Sequence, residues 1–161
     1  YEEQIATYLK EHYSGISKIE FSPIFKSGGG GEGFVIARIV PVVYDTDGNK
    51  VYLRNDGALD MAVRDYGTLA GLDLSFNVND GSEIIYLYNT KKEYISVEKH
   101  QHLPDSLKFQ KEEFTDEAME AFSREGHLKG VEKNDQGSPQ AEIVYNLEIR
   151  RVQGREAFEW K

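Results

Sequence analysis

Residues 34–54 read Phe-Val-Ile-Ala-Arg-Ile-Val-Pro-Val-Val-Tyr-Asp-Thr-Asp-Gly-Asn-Lys-Val-Tyr-Leu-Arg. Two β-rich runs flank Asp45-Thr46-Asp47-Gly48-Asn49, a loop of residues that tolerate positive φ, and that combination is a hairpin signature. In the first run Phe34, Ile36, Val40, Val42 and Tyr44 share one face, interrupted by Arg38. Val35, Ala37, Ile39 and Val43 share the other. A strand apolar on both faces belongs in the middle of a sheet, with partners at its edges and cover on both sides. Pro41 has no N–H to donate, so so long a strand is expected to bend there.

Upstream, Ile5, Tyr8, Leu9 and His12 recur at helical spacing, with Glu2, Glu3, Lys10 and Glu11 mostly away from that face. This predicts an amphipathic helix over 1–13, with Gly15 as its left-handed C′ residue. Ile19, Phe21 and Phe25 then alternate with Lys18, Glu20 and Ser22 as a strand, and Pro23 marks an edge or a bulge. The glycine-rich run Ser27 to Gly33 is followed by a strand and lacks a Gly-Lys-Ser/Thr ending, so it reads as a hairpin loop and not as a phosphate cradle.

Downstream, Asn55-Asp56-Gly57 closes the second strand, and residues 58–71 carry a helical pattern weakened by Gly67 and Gly71. Leu72, Leu74, Phe76 and Val78 alternate before the turn Asn79-Asp80-Gly81. Residues 84–88 and 94–97 form a second hairpin, giving a meander rhythm. A short strand is expected at 107–109. Thr115 is expected to cap a helix over 116–125, with Phe114 stapled onto Met119 and Gly126 as the stop. The last strand alternates Ala141, Ile143, Tyr145, Leu147 and Ile149, expected inward, with Glu142, Asn146, Glu148 and Arg150 outward. Phe158 and Trp160 are expected to dock on the body.

The chain has 161 residues, 39% hydrophobic and 29% charged, enough for one domain with its own core. Ten Tyr and eight Phe against two Met and one Trp favour pleated, half-buried surfaces. A net charge of −9 with scattered Lys and Arg argues against nucleic acid. Cysteine is absent, which excludes disulfides, thiol catalysis, Fe–S clusters and cysteine zinc sites. No run of 18 apolar residues is present to cross a membrane as a helix.

No segment announces chemistry. Asp45 to Asn49 looks like the opening of a calcium loop, but Asp56 holds the twelfth position and Val51-Tyr52-Leu53 between them is strand-like; a tight turn is the simpler reading. His100-Gln101-His102 has a metal-site spacing but needs further ligands, for which only His12 and His127 remain as histidines. The serines include no Gly-x-Ser-x-Gly elbow. Carboxylate pairs such as Glu112 with Glu113 are common in a chain with 28 acids, and Asp116 with Glu117 is explained by helix capping. Tyr86, Tyr88 and Tyr94 on the second hairpin offer a stacking surface for a sugar or peptide, with cross-strand packing as the cheaper explanation. Together with His100 and His102 they form the candidate ligand surface. No catalytic set, cofactor or metal is expected.

The helix ending Tyr8-Leu9-Lys10-Glu11-His12-Tyr13, then Ile16-Ser17-Lys18-Ile19-Glu20-Phe21, a glycine stretch and the hairpin to Leu53 resemble a family of small secreted lipoproteins from Gram-positive bacteria. The resemblance covers about the first third of the chain. That family's function is uncharacterised, so no catalytic residues come with it. It implies a signal peptide and a lipidated cysteine upstream of Tyr1, hence an extracellular, membrane-anchored setting; the alternative is cytoplasmic. It also implies a helix laid across an antiparallel sheet, as in cystatin-like domains.

The reading is a single α+β domain over 1–161, with loops 27–33 and 132–139 expected to be mobile. A curved antiparallel sheet of about six or seven strands carries the N-terminal helix and a second helix on one face. The leading function is a non-enzymatic extracytoplasmic lipoprotein domain binding a peptide, an envelope polymer or a protein partner. One alternative is a small cell-envelope hydrolase using clustered carboxylates or His100/His102. The other is an acidic immunity or inhibitor protein for a basic partner.

Overall fold

The computed structural model describes residues 1–28, 35–54, 66–68, 70–89 and 91–152. In chain order these form α1 (Glu2–His12), β1 (Tyr13–Ser14), β2 (Ile16–Phe21), β3 (Ile24–Ser27), β4 (Ile36–Ile39), β5 (Pro41–Asp45), β6 (Lys50–Tyr52) and β7 (Tyr66–Gly67). Then come β8 (Leu72–Phe76), β9 (Glu83–Tyr88), β10 (Tyr94–Ser96), a 3₁₀ turn at Asp105–Leu107, α2 (Glu113–Arg124), β11 (Glu132–Lys133), β12 (Glu142–Val144) and β13 (Ile149–Arg151). The protein is α+β, with its N-terminal helix in place. The glycine-rich stretch 29–33 with Phe34, the turn 55–57, the helical pattern from 58 to 65, and Phe158 with Trp160 lie outside the described residues. Among the described residues, no helix is long and apolar enough to cross a membrane.

The opening stretch is indeed central: β5 lies between β2 and β6, and β4 between β3 and β7. Pairing runs antiparallel from Ile16↔Asp45 to Phe21↔Pro41 and resumes from Phe25↔Arg38 to Ser27↔Ile36. The break falls at Ser22-Pro23 and at Val40. Proline supplies no donor there, and the buried Ser22 hydroxyl takes over: it accepts from the Val40 N–H at 2.8 Å and donates to the Pro23 carbonyl at 2.8 Å. The Ser22 N–H still reaches the Val40 carbonyl at 3.0 Å, so the ladder bends without losing its partners.

The last strand joins in parallel. β12 pairs with β2 through Ile143↔Ile19 and β13 with β3 through Ile149↔Ile24, which makes the sheet mixed. Its alternation was expected to turn all five apolar residues inward. Ala141 is buried, but Leu147 is 80% and Ile149 62% exposed, because residues 145–148 separate β12 from β13 and carry the strand past the helix-covered half of the sheet.

Register sets Ile19, Val43 and Val51 in one row under the helices. Ile5, Ala6, Tyr8 and Leu9 from α1 and Ala118, Met119, Ala121 and Phe122 from α2 complete that core. Each fully buried Leu, Ile, Val or Met contributes about 2 kcal/mol. The opposite face carries Lys18, Tyr44 and Lys50, with Lys18 Nζ 4.4 Å from the Tyr44 ring centroid. Tyr44 also donates to Glu20 at 2.7 Å.

Local signals moved at several points. Glu112, not Thr115, caps α2: its carboxylate accepts from the Thr115 N–H at 3.1 Å and hydroxyl at 2.9 Å. Thr115 is buried one turn in, its hydroxyl 2.8 Å from the Tyr66 hydroxyl. Phe114 consequently falls inside the helix, on a different face from Met119 and 46% exposed. Gly15 is not the helix cap either, since the chain is already extended at Tyr13. It has φ +79° and lies so close to β11's approach that a Cβ would sit 2.0 Å from the Gly130 carbonyl oxygen. Tyr66, read as helical, pairs with Ile39 in β7. Leu107 belongs to the 3₁₀ turn and is buried; its carbonyl accepts from Gln4 Nε2 at 2.6 Å, tying the turn to α1. The 132–139 segment is fastened to α1 and β1: Asn134 N–H donates to the His12 carbonyl, Ser138 N–H to the Lys10 carbonyl, and Ser138 Oγ to the Tyr13 carbonyl.

Candidate functional site

Tyr86, Tyr88 and Tyr94 stand on paired strands, with Tyr94↔Tyr88 and Ser96↔Tyr86 in register. Their rings pack on one another: Tyr88 and Tyr94 centroids are 3.9 Å apart, and Tyr86 meets Tyr94 edge-on at 6.3 Å. Tyr88 also lines a cavity of about 610 Å³ shared with Tyr66, Phe109 and Glu112. His100 is exposed in a turn, its N–H bonded to the Val97 carbonyl at 2.9 Å. His102 lines a different cleft, with Nδ1 3.7 Å from Glu3 Oε1. Thus the three tyrosines are brought together, and His100 and His102 are not brought together with them. Among the described residues, no three His, Asp or Glu side chains are grouped to hold a metal ion.

The calcium-like loop is a hydrogen-bonded turn built on Asp45. Its buried carboxylate accepts from the Asp47 and Asn49 N–H groups at 2.9 Å, from Asn49 Nδ2 at 2.7 Å and from the Lys129 N–H at 2.8 Å. Burial alone would raise its pKa, but these donors outweigh burial and hold it below the usual carboxylate range. With its oxygens so occupied, Asp45 fastens the hairpin to the segment after α2.

A second polar knot joins four elements. Asp116 accepts from the Tyr8 hydroxyl at 2.8 Å, the Tyr13 hydroxyl at 2.6 Å and Lys133 Nζ at 2.6 Å. Burial first, and then the Asp116 carboxylate, push both phenols well above their ordinary range. All members are partnered, and the knot is structural.

The cleft that holds His102 has a volume of about 780 Å³. One side is the β3–β4–β13 sheet, presenting Ile24, Ile39 and Ile149. The other is the meander, presenting Leu72, Leu74 and Ile85, where Leu74 and Ile85 are cross-strand partners. Tyr145 and Leu147 line it between β12 and β13. The Lys26–Glu83 ion pair at 3.3 Å ties β3 to β9. The period-2 alternation of two separate segments therefore aims two apolar rows into one space.

The first turn of α1 brings the charge. Glu3 Oε2 accepts the Leu103 N–H at 3.0 Å. Glu2 is only 8% exposed; its Oε2 accepts the Asn146 N–H at 3.1 Å, and its Oε1 is buried without a hydrogen-bond partner. Burial pushes the Glu2 carboxyl up to about 7, against the opposing pull of the Asn146 N–H. The described lining includes no serine, threonine or cysteine. Chemically this is an apolar receptacle with a desolvated carboxyl at one end.

Glu2 was read from sequence as a solvated residue, although it stands three residues before Ile5 and so shares the buried stripe. That spacing was the available signal. Leu147 and Ile149 were found by their alternation but assigned to the core. None of the family models, curated proteins or solved structures compared with this chain matches it.

Proposed function

We propose that the protein is a non-enzymatic binding module that receives an apolar segment of a peptide or protein partner in the cleft between β3–β4–β13 and the β8–β9 meander. The observation that carries this reading is the pair Leu147 and Ile149, 80% and 62% exposed, beside a preformed apolar cleft of about 780 Å³. Apolar rows rimmed by charge mark interaction sites, because covering them releases water from surface the fold itself leaves wet. The lining favours binding over hydrolysis, since His102 is paired with Glu3, Lys26 with Glu83, and no serine, threonine or cysteine stands among its described residues. An extracytoplasmic, lipid-tethered setting, implied by the resemblance in residues 8–53, suits a module of this kind.

The test is titration with the neutral apolar dye N-phenyl-1-naphthylamine. The intact chain should bind it saturably at one site. Leu147→Asp should weaken binding by about tenfold or more at unchanged melting temperature, because that side chain contributes little to the core. A chain that does not bind the dye, or a variant that binds it equally well, overturns the reading.

A further inference from the structure

Resting on that reading, we propose that the cleft's occupant is an extended polypeptide segment with a lysine or arginine between apolar residues, added as a strand to the free edge of β13 with its cation at Glu2 and Glu3. Two independent observations support it.

The first is charge. Glu2, Glu3 and Glu83 line the cleft, against Lys26, which Glu83 already holds, the exposed His102, and the Tyr1 amino group, whose charged form burial disfavours. The whole chain carries a net charge of −9. Glu2 is the decisive group, since it is more than nine-tenths buried with one oxygen lacking any donor. The Tyr1 amino group attracts Glu2, but burial disfavours its charged form, so an ammonium or guanidinium that reaches Glu2 supplies a firmer charge and the missing hydrogen bond. A neutral or anionic apolar guest supplies neither.

The second is backbone. In the parallel ladder with β3, the Glu148 carbonyl accepts from the Ile24 N–H and the Val152 N–H donates to the Lys26 carbonyl. Strand alternation therefore turns the N–H and C=O of Ile149 and Arg151 to the opposite edge. Among the described residues no strand takes that edge, and Ile149 to Arg151 are exposed throughout. Ile149 sits on this strand with its side chain lining the cleft. A chain pairing there has its own alternate side chains directed over the same apolar space, which is how strand addition joins backbone affinity to side-chain selection. A small cationic amphiphile satisfies the first observation but leaves the second unused.

The experiment uses the intact chain and fluorescein-labelled heptapeptides read by anisotropy. The parent probe is Val-Thr-Leu-Lys-Leu-Thr-Val. One comparison replaces its Lys by Glu; others N-methylate alternate backbone amides, one phase at a time. The Lys peptide should bind at least about tenfold tighter than the Glu peptide, and Glu2→Gln should cut that preference to about twofold. N-methylation in one phase only should cost about tenfold or more. Should Glu2→Gln fail to fold, Glu3→Gln, whose side chain is partly exposed, is expected to reduce the same preference. Equal affinity for the Lys and Glu peptides overturns the proposal. So does indifference to N-methylation in both phases, and with competition by dodecyltrimethylammonium it reassigns the cleft to small cationic amphiphiles. Either failure leaves dye binding and its loss in Leu147→Asp intact, whereas loss of dye binding by the parent chain removes the module reading itself.

Discussion

Replacing Glu2 by Gln isolates the energetic cost of a carboxyl in the cleft. Burial raises its pKa from 4.5 to about 7. At about 1.4 kcal/mol per unit, the folded state prefers the protonated form by about 3 kcal/mol relative to the unfolded chain. The sign follows from proton binding. Between the two values the folded state holds more protons, so Glu2 favours folding fully below pH 4.5, and that contribution is lost as pH rises through about 7. Gln keeps an acceptor for the Asn146 N–H and does not titrate. The stability of the parent chain minus that of Glu2→Gln should therefore fall by about 2 kcal/mol from pH 5 to pH 7 and change little above pH 8. Urea unfolding followed by far-UV circular dichroism at several pH values measures it, and every other titrating group cancels in the difference to first order. Parallel stability curves for the two proteins would refute the burial argument and, with it, the view of Glu2 as a desolvated carboxyl.

Other consequences are as direct. Asp45→Asn leaves one acceptor oxygen where four donors converge and should cost about 3 kcal/mol in denaturant unfolding at neutral pH. Because the Asp45 pKa is lowered, that deficit should shrink as pH falls through its folded value. Gly15→Ala forces a Cβ against the Gly130 carbonyl at a φ of +79° and should lower stability by about 3 kcal/mol; a variant as stable as the parent would show that β1 and β11 do not approach as described. In an alkaline titration followed at 295 nm, Tyr44 should ionise near pH 12, and Tyr8 and Tyr13 should stay protonated until the chain unfolds. Asp116→Asn should move the last two downward, since it removes the negative charge that both hydroxyls face.

The α+β class and the central hairpin were legible because period-2 patterning and an Asp-Gly turn are local properties of residues 34–54. The break at Ser22-Pro23 was legible as an interruption, but not the serine hydroxyl that spans it, since Val40 meets it only in three dimensions. Alternation in 141–149 showed a strand and said nothing about its partner or direction. Parallel pairing with β2 and β3 is decided by what lies across the sheet. The cap of α2 was misplaced by three residues because Glu112 does at longer reach what a Thr or Asp does at Ncap, freeing Thr115 for Tyr66. Of the candidate ligand surface, only His102 reaches the apolar cleft. Glu2 was hidden by its own polarity, which outweighed its helical spacing, and the cleft itself is assembled from segments that no sequence window spans.

The parallel last strand also bears on how the chain folds. The hairpin from Ile16 to Asp45 closes through local contacts, but the segment that completes its outer edge arrives from far along the chain: Ser138 bonds the Ile16 N–H across 122 residues. Closing so long a loop costs entropy before any contact repays it, and high contact order slows the rate-limiting step. The hairpin and α1 thus form the natural nucleus, and docking of β12 and β13 is the late event. Until it happens, the edges of β2 and β3 are open to any extended chain, including another copy of the same segment. Refolding yield should fall as protein concentration rises, even where the equilibrium stability is ample.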